Sequence, residues 1–218
     1  EQAITVLSKI RREEVNPKTY AQAQLGLGVA YAESGEWKQA IKTWSKVRHE
    51  DDPKVYALAQ LGLGTAYYAQ RKLDQAIVAW SNIRRSDDSK IYAQAQFNLG
   101  NTYKDQGNPE QAIVAWSNIR REEADPGTYA QAQLNLGLAY AKSGKREQSI
   151  EALSSIRREE AAPETYARAQ FNLGVAYAES GERKQAIKML SNIRRSDDPE
   201  IYTQAQLGLG LIYRAQDK

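Results

Sequence analysis

Cysteine is absent from this chain of 218 residues, and histidine occurs only once. Disulfide bonds and ordinary zinc sites, which need several cysteine and histidine ligands, are therefore excluded. No apolar run approaches the roughly 20 residues that a membrane-spanning helix needs, and no signal peptide opens the sequence. These absences predict a soluble protein, cytoplasmic by default, with neither a cofactor nor a metal ion.

An excess of charge of one sign is also missing. The 30 lysine and arginine residues are balanced by 27 aspartate and glutamate residues, which leaves a formal net charge of +3. Pairs of arginines recur, and their second members include Arg12, Arg85, Arg121, Arg158 and Arg195. Acids follow each pair within two residues, whereas a nucleic-acid surface should show uncompensated positive charge. We predict that these arginines stabilise helix ends and bridge repeats, and we expect no nucleic-acid and no membrane partner.

What the sequence does contain is one segment that recurs at steps of 36 or 37 residues. A repeated glycine occurs at Gly28, Gly64, Gly100, Gly137, Gly174 and Gly210. A fixed period of about 20 to 50 residues is typical of stacked copies of one unit. We therefore predict a single domain over 1–218. It divides into half repeats at 1–16 and 199–218 and full repeats at 17–52, 53–88, 89–125, 126–162 and 163–198.

Each unit has the signals of two helices, so twelve helices and an all-α fold are predicted. The first helix begins at a cap residue before proline, as at Asn16 and Pro17, and runs about 17 residues to a glycine such as Gly35. In the second unit Arg71 takes the place of that glycine, at some cost in backbone energy. Asn108 is expected to cap the second helix of the third unit. The second helices bury an apolar stripe at helical spacing, for example Ala112, Ile113, Trp116 and Ile119.

The chain opens in the middle of a unit. Residues 1–12 carry Ala3, Ile4, Leu7 and Ile10, which is the stripe of a second helix. No first helix precedes it and no initiator methionine is present. Together these features suggest a fragment of a longer array.

The repeated glycine lies in the middle of each first helix, where it costs about 0.8 to 1 kcal/mol relative to alanine. Something must offset this loss of helix propensity. A glycine allows a facing side chain to lie against the helix axis. We therefore predict that neighbouring helices approach closely at Gly100 and its counterparts.

These residues resemble the tetratricopeptide repeat family, and the resemblance covers the whole chain. The matching set in one unit is Asn98, Leu99, Gly100, Tyr103, Gly107, Ala112, Trp116 and Pro126. The units are two or three residues longer than the family's, and glutamine replaces an aromatic residue four positions before the glycine. That glutamine recurs as Gln24, Gln60, Gln96, Gln133, Gln170 and Gln206. If buried, its amide needs hydrogen-bond partners.

The resemblance implies a right-handed α-solenoid, with first helices on the concave side and second helices on the convex side. Family members bind peptides or other proteins in the concave groove and are not enzymes. By resemblance, residues at fixed offsets from the repeated glycine would face this groove. The candidate partner-binding residues are Tyr68, Phe97, Asn98, Asn101, Lys104, Asn135, Arg168, Phe171 and Asn172.

Two interpretations of these candidates stay open. Aromatic residues in a groove are good anchors for a partner, but Phe97 and Phe171 stand where other units have leucine and could pack against a neighbouring first helix. The asparagines could hold the backbone of an extended peptide, or be merely the commonest family residues there. Arg168 could pair with an acid of the peptide.

Some family members grip a C-terminal carboxylate with five polar residues from three units. Asn101, Asn135 and Arg168 fall on three of those positions. Phe97 and Asn172 occupy the other two, where the family uses cations, and losing charge weakens such a grip. An intact carboxylate clamp is therefore not expected.

We predict a scaffold for protein or peptide interaction. The alternative is an assembly module whose copies associate head to tail through their terminal helices, an open contact that builds long arrays. An enzyme is not expected. His49 replaces an arginine beside two acids, and the LGLG stretches lie inside helices without the spacing of a dinucleotide site.

Overall fold

Helix hairpins make up the structure, a computed structural model that describes residues 1–215. Twelve α-helices follow one another within those residues, joined by short turns. They are α1 (Gln2–Leu7), α2 (Pro17–Glu33), α3 (Trp37–Trp44), α4 (Pro53–Ala69), α5 (Leu73–Ser81), α6 (Ser89–Asp105), α7 (Pro109–Ser117), α8 (Pro126–Lys142), α9 (Arg146–Ser154), α10 (Pro163–Glu179), α11 (Arg183–Ser191) and α12 (Pro199–Arg214). The predicted all-α fold is confirmed.

Two compact units divide the chain at Gly107. The first unit, Glu1–Gly107, contains α1 to α6, and the second unit, Asn108–Lys218, contains α7 to α12. Within each unit a first helix packs against the second helix that follows it, as α4 does on α5 and α10 on α11. It also packs against the next first helix, as α4 does on α6 and α10 on α12.

The opening helix is shorter than predicted. It ends at Leu7 instead of continuing to Arg12, and a 3-10 helix at Arg12–Glu14 follows. Second helices further along the chain also stop early, because the backbone tightens after the large apolar residue. The Val47 N–H, for instance, bonds to the Trp44 carbonyl three residues back, at 3.1 Å. This turn leaves Val47 buried.

First helices begin at capped residues, as predicted. Side-chain oxygens of Asn16, Asp52, Asp125 and Asp198 accept backbone N–H groups of the first turn at 2.8 to 3.0 Å. Asp88 does the same at 3.0 and 3.1 Å, although serine follows it where the other capped helices have proline. The carboxylate or amide oxygen, and not the proline, is therefore the common element of these starts.

The cap predicted at Asn108 is wrong. Its side chain makes no capping hydrogen bond, and its backbone angles of φ −106° and ψ 72° differ from the extended conformation of a capping residue. The hairpin turn explains the difference, because it closes through backbone groups. In the first hairpin the Glu36 N–H bonds to the Tyr31 carbonyl at 2.8 Å, and the Gly35 N–H bonds to the Ala32 carbonyl at 3.0 Å.

The hairpin turn requires a left-handed residue. Gly35 has φ 77°, and Arg71 has φ 61° at the equivalent place in the next hairpin. The predicted left-handed backbone at Arg71 is confirmed, and it is strained because its Cβ crowds the following carbonyl.

Four of the repeated glycines, Gly28, Gly64, Gly137 and Gly174, receive large side chains from the second helices, which confirms the predicted close approach at these positions. A Cβ atom built on Gly28 would lie 2.3 Å from the indole of Trp44, and one on Gly64 would lie 2.2 Å from that of Trp80. In the second unit the intruding residues are leucines, and a Cβ on Gly174 would lie 2.6 Å from Leu190. We call each such glycine a notch and each intruding side chain a knob.

The repeated glutamine is buried in five of its six copies and exposed at Gln206. In two hairpins its amide bonds to an asparagine that follows the second helix. Gln60 accepts from Asn82 at 3.4 Å, and Gln170 accepts from Asn192 at 3.0 Å. Both bonds join a first helix to the end of its second helix. The Gln24 oxygen is buried without a hydrogen-bond partner.

Candidate functional site

The predicted partner-binding residues all lie on first helices. In the first unit Tyr68 is on α4. It is half-buried, and its hydroxyl donates to Asp105 of α6 at 2.7 Å. This hydrogen bond, followed by burial, raises the pKa of Tyr68. Tyr68 therefore joins two neighbouring first helices, and its hydroxyl is already engaged.

Four predicted residues lie on α6. Phe97, Asn98 and Asn101 are half-buried, and Lys104 is exposed. The Asn98 side-chain oxygen accepts from Gln94 Nε2 at 3.3 Å, one helical turn earlier. This polar row therefore runs along one helix of the first unit.

In the second unit the predicted polar residues lie on α8 and α10, which pack against each other. Asn135 of α8 accepts from Gln131 Nε2 at 3.3 Å, the same arrangement that α6 shows. Asn172 of α10 donates to the Arg168 carbonyl at 2.7 Å, and the exposed Arg168 guanidinium approaches Glu164 at 3.8 Å. Such a surface pair is weak, so the guanidinium remains available to an acid of a partner.

Phe171 lines an apolar groove between α10 and α12. The groove has a volume of about 410 Å³, and its walls also include Val175, Leu207 and Leu211, while Leu190 of α11 lies at its floor. Val175, Leu207 and Leu211 are exposed, Leu207 to 67%. We call this feature the α10–α12 groove. It is the place in the second unit where a large apolar side chain could be accommodated.

The groove opens because the knob at its floor is small. Trp44, the equivalent of Leu190 in the first unit, reaches from the notch at Gly28 to Gly62 of the next first helix, where a Cβ would meet the indole at 3.0 Å. Leu190 also reaches the next first helix, where a Cβ on Gly208 would lie 3.2 Å from its Cδ1. Leucine nevertheless has less volume than tryptophan and leaves part of that space open. The neighbouring Gly208 adds no side chain to fill it.

Sequence reasoning found Phe171 but missed Val175, Leu207 and Leu211. A signal was present, because these residues recur one helical turn apart on two first helices that pack side by side. The pattern was hidden by the resemblance of Leu207 to leucines in other units. One of those leucines, Leu134, is buried, whereas Leu207 is exposed. The residue type at this position therefore does not show which copy is exposed.

The arginine pairs bridge hairpins, as the balance of charges predicted. The Arg12 guanidinium lies over the Tyr20 ring, 4.7 Å from its centroid, and donates to Asp51 of the following repeat at 2.8 and 2.5 Å. Arg158 in the second unit lies 4.2 Å from the Tyr166 ring centroid and donates to Asp197 at 2.8 Å. We call this arrangement the Arg–Tyr–acid joint.

The joint changes the ionisation of its acid. Hydrogen bonds from Arg12, the largest cause, hold the pKa of Asp51 below its ordinary value against the opposing effect of burial. At one joint histidine replaces arginine. His49 Nε2 lies 2.8 Å from Asp87 Oδ1, and its ring meets Tyr56 edge to face at 5.2 Å. His49 therefore has a place in the joint and is not isolated on the surface.

Neither a metal site nor a membrane span is found over residues 1–215. No three His, Asp or Glu side chains in that range are grouped so as to hold a metal ion. None of the helices there combines the length and the apolar character needed to cross a bilayer.

Stacked helix hairpins with knob-and-notch packing define an α-helical repeat protein. The tetratricopeptide repeat model matches residues 25–89, 61–127, 97–167 and 134–188 in overlapping segments. These matches cover more than half of the chain. The chain belongs to the tetratricopeptide repeat family.

Solved structures of other proteins share the fold. YrrB, described as a TPR protein with an unusual peptide-binding site, is 18% identical with a TM-score of 0.63, over 94% of this chain and 98% of its own. MamA is 23% identical with a TM-score of 0.60, over 84% of this chain and 94% of its own. BtubC (BKLC) from P. vanneervenii is 14% identical with a TM-score of 0.57, over 89% of this chain and 86% of its own. No curated protein sequence matches the chain.

Proposed function

We propose that this chain is a scaffold that binds a protein or peptide partner along its first helices, with the α10–α12 groove taking an apolar side chain of the partner. The family consists of interaction scaffolds, which supports the general role. The groove is the observation that carries the specific one. It exposes three large apolar residues side by side, and partner surfaces commonly cover such patches.

Polar residues beside the groove support an extended peptide as the occupant. Asn172 and Arg168 lie on α10 next to Phe171, and Asn135 lies on the adjacent α8. Amide side chains suit the backbone groups of a peptide, and a guanidinium suits a carboxylate. The partner segment that fits best therefore combines an apolar anchor with a nearby acid.

A peptide selection tests this proposal. Peptides selected from a random display library on the whole chain should carry an apolar residue near an acid. Leu207→Asp should then weaken their binding at least about tenfold, because a charge in an apolar pocket must be desolvated when the anchor docks. Arg168→Gln should weaken it less, since its contact is exposed. Affinity is measured by fluorescence anisotropy.

Val114→Asp is the matched control. Val114 of α7 is 62% exposed, similar to Leu207, and it does not line the groove. The Val114→Asp substitution introduces the same charge as Leu207→Asp, also at an exposed apolar residue. If Leu207→Asp and Val114→Asp have equal effects, or if selected peptides bind both variants normally, the proposal is wrong.

A second candidate is the association of copies of this chain through α12, and one observation favours it. A Cβ atom added to Gly210 would meet nothing within 4 Å, although the equivalent notches at Gly28, Gly64, Gly137 and Gly174 all receive knobs. A second helix from another copy, with Leu7 as its knob, would fit this notch. Light scattering that increases with concentration, and that Gly210→Trp suppresses by filling the notch, would support this candidate. Light scattering that gives the mass of a monomer at every concentration would exclude this candidate.

A further inference from the structure

A polar cavity of about 390 Å³ lies in the first unit, away from the groove described above. Its walls come from α2, from α3 and from the segment that follows α1. We call it the first-repeat cavity. It differs in chemistry from the α10–α12 groove, because lysine, arginine, glutamine and threonine side chains line it.

One buried polar atom in the wall has no hydrogen-bond partner. Gln24 is 3% exposed, and its amide oxygen is buried and unpaired. Thr43, which is 4% exposed, lines the same cavity with a side chain that carries a hydroxyl. Buried polar groups are nearly always paired, so the unpaired amide indicates a site for a polar ligand.

The equivalent cavity of the second repeat provides the comparison. It has a volume of about 310 Å³ and is lined by Gln60, Val78, Ala79 and Asn82. There Asn82 donates to the glutamine, and alanine stands where the first repeat has threonine. The second-repeat cavity therefore leaves neither polar group to be satisfied.

Among the positions that line both cavities, three have different residues. Lys46 replaces Asn82, Lys42 replaces Val78 and Thr43 replaces Ala79. The first of these removes the amide that would pair with Gln24 and adds a cation. Lys42 and Thr43 lie on α3, Lys46 follows just after its end, and all three line the same cavity.

Positive charge predominates around the cavity. Four cations and one acid, Glu13, line it. Arg12 is committed to Asp51, and Arg11 makes only a loose exposed contact with Glu14 at 4.0 Å. Lys42 and Lys46 have no ion-pair partner among residues 1–215. Their ammonium groups are thus available to an anion.

We propose that the first-repeat cavity binds an oxyanion, a carboxylate or a phosphate, held by Lys42, Lys46 and the Thr43 hydroxyl. Ammonium and hydroxyl groups donate to such oxygens, and donors to a charged acceptor form the stronger class of hydrogen bond. The Gln24 side-chain amide can present its oxygen, which accepts from an N–H or O–H of the ligand beside the anion. After rotation it presents its NH₂ group, which donates to the anion itself. An acidic peptide segment and hydrogen phosphate both have this chemistry.

Isothermal titration calorimetry of the whole chain at constant ionic strength tests the proposal. Two probes separate the possible sources of the anion: inorganic phosphate, and an N-acetylated, C-amidated Asp-Glu dipeptide. Saturable binding of either probe at one site per chain supports the proposal, and the tighter probe identifies the source. The Gln24 side-chain amide resonance should shift during the same titration. No saturable binding of either probe overturns the proposal.

Lys46→Asn is the decisive variant, because it installs the residue of the second repeat. It restores a partner for Gln24 and removes a cation, and the affinity should fall about tenfold or more. Lys42→Val should reduce it further. Lys38→Asn is the control, since Lys38 is an exposed lysine on the same helix that does not line the cavity. Equal losses for Lys46→Asn and Lys38→Asn would show a non-specific effect of charge and overturn the proposal.

Transplanting the site is the reciprocal experiment. Because the acid Asp74 also lines the second-repeat cavity, the transplant includes its neutralisation. The quadruple variant Asp74→Asn, Val78→Lys, Ala79→Thr, Asn82→Lys should raise the stoichiometry from one anion to two, with folding checked by circular dichroism. A folded variant that still binds one anion contradicts the proposal. Leu207→Asp should leave anion binding unchanged, so this site and the α10–α12 groove can fail independently.

Discussion

The two units build the same hairpin but fill its notch differently. Trp44 and Trp80 are the knobs of the first unit, and each indole also donates a hydrogen bond to a first-helix carbonyl at 3.3 Å. Leu153 and Leu190 are knobs of the second unit. Both kinds of knob are buried, and both lie against a glycine. The backbone pattern therefore tolerates a large difference in side-chain volume.

The consequence of this difference appears at the surface. A tryptophan knob reaches the next first helix and fills the space between two first helices. Leu190 also reaches the next first helix at Gly208, but its smaller side chain fills less of the space, and the α10–α12 groove opens above it. Because interiors are close-packed, a smaller core residue either lets its surroundings collapse or leaves a space. The groove is a space of this kind that is open to solvent.

Removing a tryptophan knob should produce the largest effect. Trp80→Ala should lower the free energy of unfolding by about 3 to 5 kcal/mol, since it creates a cavity and loses the indole hydrogen bond. Contacts in a repeat array run only to neighbours, so amide hydrogen exchange should rise mainly in α4 and α5. Trp37→Ala is the control, because Trp37 is 38% exposed. An equal loss in both variants would refute the importance of the knob.

Breaking an Arg–Tyr–acid joint should have the next largest effect. Asp51→Asn should cost about 1.5 to 3 kcal/mol at neutral pH, the range for hydrogen bonds to charged groups. Because the pKa of Asp51 is lowered in the folded chain, its contribution is present above the unfolded pKa of about 3.9 and is lost as the pH falls through the lower folded value. Denaturation curves of both proteins from pH 7 downward should therefore converge in acid. A constant difference would contradict this account.

Adding a methyl group to the notches sharpens the comparison further. Gly64→Ala places a Cβ against the Trp80 indole and should cost about 1 to 3 kcal/mol by overpacking. Gly210→Ala has no such neighbour and should gain up to about 1 kcal/mol of helix propensity. The same substitution thus has opposite signs at two copies of one position. Thermal unfolding of the two variants measures both changes in stability. Changes of the same sign would show that the knob does not determine the effect of the added methyl group.

The hairpins could be predicted from the sequence because their signals are local. Asn16 and Pro17 specify a helix start within two residues, and Gly35 specifies its end. The notch was also predictable, since a glycine inside every first helix needs a structural reason. Asn108 shows where such local rules fail. It has the right residue type before a proline, but the turn from the preceding helix fixes its backbone in another conformation.

The candidate sites depend on distant residues, and the sequence alone does not predict them. Leu190 opens a groove only because it lies beneath Phe171 and Leu207, which come from two other helices. Gln24 lacks a partner because position 46, just after α3, is lysine and not the asparagine of the second repeat. Each of these facts requires knowing which residues meet in space. The repeat register shows which positions are equivalent, but it does not show which of them form a cavity.

Replacing the histidine of the one variant joint should have the smallest effect. His49→Arg should raise the free energy of unfolding by about 0.5 to 1 kcal/mol at pH 8, because arginine is always charged and offers a fork of donors to Asp87. Asp87 is only 2% exposed, so the added interaction is partly shielded from solvent. His49→Gln is the neutral control, and urea denaturation measures both differences. A gain for His49→Gln as large as that for His49→Arg would show that charge at this joint does not stabilise the contact between hairpins.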